Sequence, residues 1–204
     1  LNQAASLLAL FVRRHRIEPD AEAALLLEHL GNAAARMDTA LAGVQGYLNL
    51  ASRPLQCRTV SLHSPLSAAL AVLDPAVKAS SATITADPLP AIDCDGPSIA
   101  AAFEILIDNG IKFRRAAEAP RIHVSAERQG GEILIAVADN GIGIDPKYCA
   151  DALQPFRRLN GRDYPGAGMG LPKAKLIARL HGGGLRIEPA PEAGTRVNIA
   201  LPER

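Results

Sequence analysis

Apolar residues recur along the first quarter of the chain with steps of four and three. Leu1, Ala5, Leu8 and Val12 set the rhythm, a basic, turn-like stretch from Arg13 to Pro19 interrupts it, and Ala23, Leu27, Leu30, Ala34, Met37, Leu41, Val44 and Leu48 resume it. The second run is a heptad stripe that predicts one long helix. Pro19 suits the first turn of that helix, where its missing N–H costs nothing, and Pro54 ends it. The prediction is a helical hairpin with one apolar seam. A hairpin cannot bury such a seam alone. Either a second copy covers it, giving a four-helix bundle, or the following domain does; a heptad period kept along the whole helix favours the second copy.

From Arg58 the period changes. Thr59–Leu62 reads as a strand, Pro65–Val77 as a helix, Ala82–Ala86 as a strand and Pro97–Arg115 as a helix. Arg121–Arg128 and Glu132–Ala138 alternate like strands and are joined by Gln129-Gly130-Gly131, a hairpin signal. Gly170–Leu180 reads as a helix, and Leu185–Pro189 with Thr195–Leu201 as a closing hairpin. Helices alternate with strands and hairpins are present, so the sheet should be mixed and covered by helices on one face. The predicted class is α+β: a helical hairpin over residues 1–54, then an α/β sandwich over residues 58–204.

Composition narrows the function. Of 204 residues, 48% are apolar, enough for a true core, while aromatics are 3% and Trp is absent. Base-stacking platforms for single-stranded nucleic acid are therefore not expected, and a net charge of +1 argues against a polyanion as the main partner. Cys57, Cys94 and Cys149 lack metal-type spacing and read as reduced thiols of a cytoplasmic protein. No apolar run approaches the roughly 20 residues that span a bilayer. Arg13, Arg14 and Arg16 follow the apolar Ala4–Val12 stretch instead of preceding it, unlike a signal peptide. The start at Leu1 reads as a piece of something longer.

Three ordered segments carry candidate chemistry. Asn109, in Asp108-Asn109-Gly110-Ile111-Lys112-Phe113, sits in a predicted helix interior where Asn is a poor helix former. Its amide oxygen suits Mg²⁺, and Lys112 three residues on suits a phosphate; alternatively both are solvated surface residues. Asp139 opens Asp139-Asn140-Gly141-Ile142-Gly143-Ile144 at the end of an apolar strand. Its carboxylate can accept from the exocyclic amine of adenine while Gly141 and Gly143 let a base lie on the backbone; a ligand-free Asp-Asn-Gly turn is the alternative. Gly166-Ala167-Gly168-Met169-Gly170-Leu171 leads into a helix whose first N–H groups can bind phosphate, or is a plain linker. Before it, the basic loop from Pro155 to Asp163 is anchored by Phe156 and can close over a triphosphate, or remain solvated. Thr195 after Gly194 offers a hydroxyl to a base, or completes a tight turn. Among the histidines, His15 falls at the hairpin tip and His29 in the long helix. His63, His123 and His181 read as strand or turn residues with no partners in view, and none of the five is expected to be functional.

Taken in order, these segments resemble the catalytic core of sensor histidine kinases, over nearly the whole chain. Asn109–Phe113 resembles the N box, with Gly110 where Ala is usual; Asp139–Ile144 the G1 box; Phe156 and its neighbours the F box; Gly166–Leu171 the G2 box; and Gly194-Thr195 the last glycine-containing motif. Phe156-Arg157-Arg158-Leu159 followed by Gly161-Arg162-Asp163 is most similar to phytochrome-type kinases. The resemblance implies a Bergerat-type ATP site behind a dimerisation hairpin, with ATP and Mg²⁺ as cofactors and Asn109 on the metal. It implies nucleotide contacts from Asn109, Lys112, Phe113, Asp139, Gly141, Gly143, Ile144, Arg158, Gly166, Gly168, Gly170, Leu171 and Thr195. The implied activity is phosphorylation of a histidine and transfer to an aspartate on a response-regulator receiver domain, in a homodimer with a sensory domain upstream, without nucleic acid and without a membrane segment in this stretch.

Two departures qualify the resemblance. The family's phosphoacceptor His precedes a Pro-Leu pair, and Leu1-Asn2-Gln3 resembles the residues immediately after that Pro, so the acceptor and its neighbouring acid are expected upstream of Leu1. Ile105 stands where the N box commonly has its first Asn. The missing amide is expected to weaken metal or nucleotide binding, and the hydrolytic Glu of gyrase-type and mismatch-repair ATPases is absent there too. A degenerate dimer that binds nucleotide or partners without phosphotransfer is the alternative function.

Overall fold

The computed structural model describes residues 21–159, Tyr164, residues 166–190 and residues 194–203. The predicted first helix, Pro19, His15, and Asn160, Gly161, Arg162, Asp163 and Pro165 of the basic loop lie outside the described residues. The chain divides into two compact units, Leu1–Leu48 and Asn49–Arg204.

In the first unit the described structure is helix α1 (Ala21–Ser52, 32 residues), whose last turn belongs to the second unit. Its many Ala and Leu residues and the absence of an interior Pro favour it. Its heptad stripe divides in two. Ala34 is buried and Ala23, Leu27 and Val44 are half-buried, while Leu30, Met37, Leu41 and Leu48 are each more than half exposed.

The second unit begins with the linker Arg53–Cys57 and strand β1 (Arg58–Ser61). Helix α2 (His63–Ser80) carries Pro75 in its interior and ends where Ser81 adopts a left-handed conformation, φ 54°. Strands β2 (Thr83–Ala86) and β3 (Ala91–Cys94) follow, then helix α3 (Gly96–Lys112). α3 starts sharply because the Asp95 carboxylate accepts from the Ser98 N–H and Pro97 sits in the first turn. Strands β4 (Arg121–Gln129) and β5 (Glu132–Asp139) form a hairpin. Gly130 and Gly131 both have positive φ there, the requirement of a tight primed turn. A 3₁₀ turn (Pro146–Tyr148), short helix α4 (Cys149–Ala152), helix α5 (Gly170–Leu180) and strands β6 (Gly184–Ala190) and β7 (Gly194–Pro202) complete the unit.

The main sheet has the order β2-β4-β5-β7-β6, with β2 parallel to β4 and the remaining pairs antiparallel. Its core-facing residues alternate: Ile122 and Val124 on β4, Ile133, Ile135 and Val137 on β5, Val197, Ile199 and Leu201 on β7. They pack with Ile99, Phe103, Leu106 and Ile107 of α3 and Ala174, Ile177 and Ala178 of α5. Each fully buried Ile or Phe contributes about 1.5–3 kcal/mol. The mixed sheet and α+β class are as the sequence predicts.

β3 is the element that the pattern does not predict. It is four residues long, follows Pro88 and Pro90, and pairs only with β1, Arg58 opposite Cys94. The 3₁₀ turn and α4 are also too short to leave a period. Among the described residues the cysteines are free, and burial pushes the Cys94 thiol up to about 11, which keeps it a neutral packing group.

Candidate functional site

The site is built where the C-terminal end of α3, the end of β5 and the start of α5 converge. Ile105 and Asn109 lie one turn apart on α3 and both face Gly170, the first residue of α5. A methyl group added at Gly170 would lie 3.4 Å from Ile105 Cγ2 and 3.7 Å from Asn109 Nδ2. The opening of α5 thus lies in ordinary contact range of the Asn109 amide. No side-chain oxygen caps α5, because Met169 occupies the N-cap, so the first N–H groups remain for another acceptor. Lys112 is not a free cation: its ammonium pairs with Asp108 one turn back on α3.

Asp139 ends β5 inside a glycine clamp. Its Oδ1 accepts from the N–H of Gly141 at 2.8 Å and of Thr195 at 3.2 Å. Burial raises its pKa above the ordinary carboxylate value, with the two N–H bonds pulling the other way. Three glycines make room for it. A Cβ at Gly194 would fall 1.8 Å from the Asp139 carbonyl oxygen, one at Gly141 would fall 2.8 Å from Oδ1, and one at Gly110 would fall 3.2 Å from the Asp139 Cβ. Gly110, where the resembling family commonly has Ala, also touches Ile122, whose Cδ1 would sit 2.9 Å from an added methyl. The Thr195 backbone N–H is the group that bonds Asp139.

Asn140 is structural. Its Oδ1 accepts from the Arg121 N–H at 2.7 Å and its Nδ2 donates to the Ala119 carbonyl at 3.1 Å, tying the α3–β4 connection to the end of β5. The Phe113 carbonyl accepts from the Ile142 N–H at 2.9 Å, and Arg115 Nε donates to the Gly141 carbonyl at 3.1 Å. These bonds fasten the Gly141–Ile144 turn, in which Gly143 has φ 75°, to the end of α3.

The basic loop is pinned to the glycine run. Phe156 adopts φ 64°, rare for an aromatic residue, and its N–H donates to the Gly168 carbonyl at 3.1 Å. Gly168 (φ 68°) lies so close that a Cβ would be 2.7 Å from the Arg157 carbonyl oxygen, whereas Gly166 is in open space. The Arg158 guanidinium donates to the Tyr164 carbonyl, within its own loop. The Tyr164 ring packs 4.9 Å from that of Phe113, and Leu171 is half-buried in the first turn of α5. For a divalent cation the described residues offer Asn109 at this place and no cluster of three or more His, Cys, Asp or Glu anywhere. That donor set fits a Mg²⁺ ion held mostly by phosphate and water.

Sequence reasoning missed the groups at the opposite end of α3. Asp95 is fully buried. Its two oxygens both accept from one Arg53 nitrogen, Nη2, at 2.7 and 2.8 Å, and the carboxylate also accepts the Gln56 N–H at 2.9 Å and the Ser98 N–H at 2.9 Å. Burial alone would raise its pKa, but the Gln56, Ser98 and Arg53 bonds outweigh that and hold it well below the usual carboxylate range. The expectation that three histidines lack partners is overturned. His181 is buried, accepting the Asp95 N–H on Nε2 at 3.0 Å with Nδ1 2.8 Å from the Ile177 carbonyl. His63 accepts the Leu89 N–H at 3.3 Å, and His123 lies between Thr85 at 2.9 Å and Asp87 at 3.2 Å. The sole advance signal was an Asp before Pro97, a helix-start pattern.

Residues 94–204 match the family described as histidine kinase-, DNA gyrase B-, and HSP90-like ATPase. Cyanobacterial phytochrome A from Nostoc sp. is 34% identical over 99% of this chain and 26% of its own length. Phytochrome-like protein Cph1 from Synechocystis sp. is 30% identical over 99% and 27%. The alginate biosynthesis sensor protein KinB of Pseudomonas aeruginosa is 38% identical over 57% and 19%. The chain thus spans about a quarter of the length of its phytochrome relatives. Among solved structures, full-length ShkA in complex with AMPPNP aligns with a TM-score of 0.70 at 20% identity, over 92% of this chain and 40% of that one. The Acinetobacter baumannii histidine kinase AdeS aligns at 0.68 and 16%, over 99% and 94%. No helix among the described residues is long and apolar enough to cross a membrane. By its matched residues and its fold, the chain belongs to the histidine kinase-, DNA gyrase B-, and HSP90-like ATPases, as a sensor histidine kinase catalytic core.

Proposed function

We propose that this chain binds Mg-ATP between α3, α5 and the end of β5, and phosphorylates a histidine that precedes Leu1. The observation that carries the reading is the convergence of Asn109 with the uncapped start of α5 at Gly170, beside a half-buried Asp139 with one oxygen already occupied. Asp139 Oδ2 accepts from the exocyclic amine of adenine, which selects adenine over guanine. The N–H groups of Gly170 and Leu171 take phosphate oxygens, and Asn109 holds Mg²⁺, which neutralises phosphate charge when bound. Gly141, Gly143 and Ile144 lie against the base, and the loop bearing Arg158 closes over the triphosphate. Lys112 reaches phosphate only by leaving Asp108.

The hairpin of residues 1–54 is the dimerisation element, with the exposed Leu30, Met37, Leu41 and Leu48 facing a second copy. The ATP domain of residues 58–204 serves the acceptor histidine, and a response-regulator receiver domain takes the phosphate onto an aspartate. A sensory domain upstream sets the activity.

Labelled ATP tests the reading. The chain beginning at Leu1 should bind nucleotide yet form no phosphohistidine, since phosphoryl transfer needs a nucleophile in line with the γ-phosphate. A chain extended upstream by about ten residues to include a His followed by an acid should gain acid-labile label. Label on the shorter chain would point to His15 or His29. Ile105 in the pocket favours a second reading, a degenerate dimer that binds nucleotide without phosphotransfer, and failure of the extended chain would select it.

A further inference from the structure

α3 and α5 lie side by side and antiparallel, touching at both ends. At one end Asn109 meets Gly170. At the other, the N-cap of α3 meets the C-cap of α5: the Asp95 N–H donates to His181 Nε2 at 3.0 Å, and the His181 Nδ1 lies 2.8 Å from the Ile177 carbonyl in the last turn of α5. Those two bonds require the Nδ1–H tautomer, which fixes the ring between the helices. The Asp95 carboxylate then takes four further bonds. One, from Ser98, caps α3; the other three come from Arg53 and Gln56 in the linker that follows α1. Linker and both helices belong to the same compact unit. The joint is buried on the protein side, with Asp95 at 0% exposure, and open on the linker side, with the Arg53 side chain at 48%.

We propose that Asp95 and His181 are positioning residues for the nucleotide, and that Arg53 is the latch through which the linker and the nucleotide site are coupled. Resting on the nucleotide reading above, the mechanism is geometric. Phosphate at the start of α5 and metal at Asn109 fix the spacing of the two helices at one end. The same spacing at the far end sets whether the Asp95 N–H and His181 Nε2 stay within hydrogen-bond reach. An Asp95 held at that reach keeps its carboxylate aimed at Arg53 and Gln56. Coupling of this kind is reciprocal: if the latch strengthens nucleotide binding, nucleotide strengthens the latch by the same factor.

The test uses the full chain with AMPPNP and Mg²⁺, reading affinity by calorimetry and amide exchange residue by residue by NMR. Saturation with AMPPNP should slow exchange at the Gln56 N–H, far from the phosphates, along with that at Leu171. Arg53→Ala should weaken AMPPNP about fivefold or more and abolish the slowing at Gln56, while Arg53→Lys, whose ammonium can meet both carboxylate oxygens as the single Nη2 does, should recover both. His181→Gln keeps an acceptor for the Asp95 N–H and should retain affinity that His181→Leu loses. Unchanged affinity in Arg53→Ala, or Gln56 exchange indifferent to AMPPNP while Leu171 is protected, would overturn the coupling and leave the site reading standing. Absence of AMPPNP binding by the unaltered chain would overturn both.

Discussion

Two aspartates show opposite uses of burial. Asp139 is half-buried with two N–H donors on one oxygen, and its folded pKa is raised. A carboxyl whose folded pKa exceeds its unfolded value loses stability as pH rises between the two, so at neutral pH the ionised form is a cost to the fold. Asp139→Asn keeps an oxygen for Gly141 and Thr195, removes the charge and presents an amide NH2 donor where the exocyclic amine of adenine needs an acceptor. It should melt no lower than wild type at neutral pH while binding ATP about 1.5–3 kcal/mol more weakly. Calorimetry and thermal denaturation measure the pair; equal affinities would remove Asp139 from the site. Asp95 runs the other way. Its folded pKa is depressed, so its contribution is complete above the ordinary carboxylate value near about 3.9 and is lost as pH falls below it. Melting temperatures of Asp95→Asn, followed from about pH 5 toward about pH 2, should fall less steeply than those of wild type. A parallel decline in both would show that Asp95 is not what acid attacks.

At the scale of elements, legibility followed sequence distance. Asn109, Asp139 and the Gly166–Gly170 run stood out in the sequence only as an ordered set, each alone having a common structural use. At Gly141 an added Cβ would fall 2.5 Å from the Phe113 carbonyl oxygen, so the glycine there marks a close approach of protein to protein, whereas Gly170 has room for a methyl group. The joint at Asp95 was not readable, because its partners lie 42 residues before it and 86 after it. β3 escaped for a related reason: a four-residue strand between prolines and a helix cap has no period, and only pairing with β1 makes it a strand. Asn140 stands within the predicted ligand turn and proves to be a backbone clasp. The loop after Phe156 gives an element-level prediction. Its arginines carry little packing, so amide exchange along Arg157–Leu159 should slow when an ATP analogue is added, as Arg158 exchanges the Tyr164 carbonyl for phosphate. Identical exchange with and without ligand would make the loop a fixed part of the wall.

At the scale of the whole molecule the exposed half of the α1 stripe sets the expected assembly. Four large apolar side chains at heptad spacing, each more than half exposed, are an unusual load for one helix to leave in water. Light scattering should find a dimer, and Leu41→Asp should give monomers, since burying an unpaired carboxylate in the seam costs several kcal/mol. The ATP domain should stay folded in that variant, visible as unchanged AMPPNP affinity. A wild-type chain that remains monomeric at high micromolar concentration would end the proposal.

The place of β7 in the sheet has a consequence for biosynthesis. β7 is the last strand in the sequence yet lies inside the sheet, between β5 and β6, and its Thr195 supplies one of the two N–H bonds that seat Asp139. A ribosome that has delivered everything through β6 has made Asn109, Asp139 and both helices, but β5 and β6 still lack their common neighbour. Until the final strand threads between them, the facing edges of β5 and β6 leave their backbone N–H and C=O groups open to any passing strand. A stop codon before Gly194 should therefore yield aggregate and not a weaker enzyme, and nascent chains should begin to bind nucleotide only after β7 has cleared the exit tunnel.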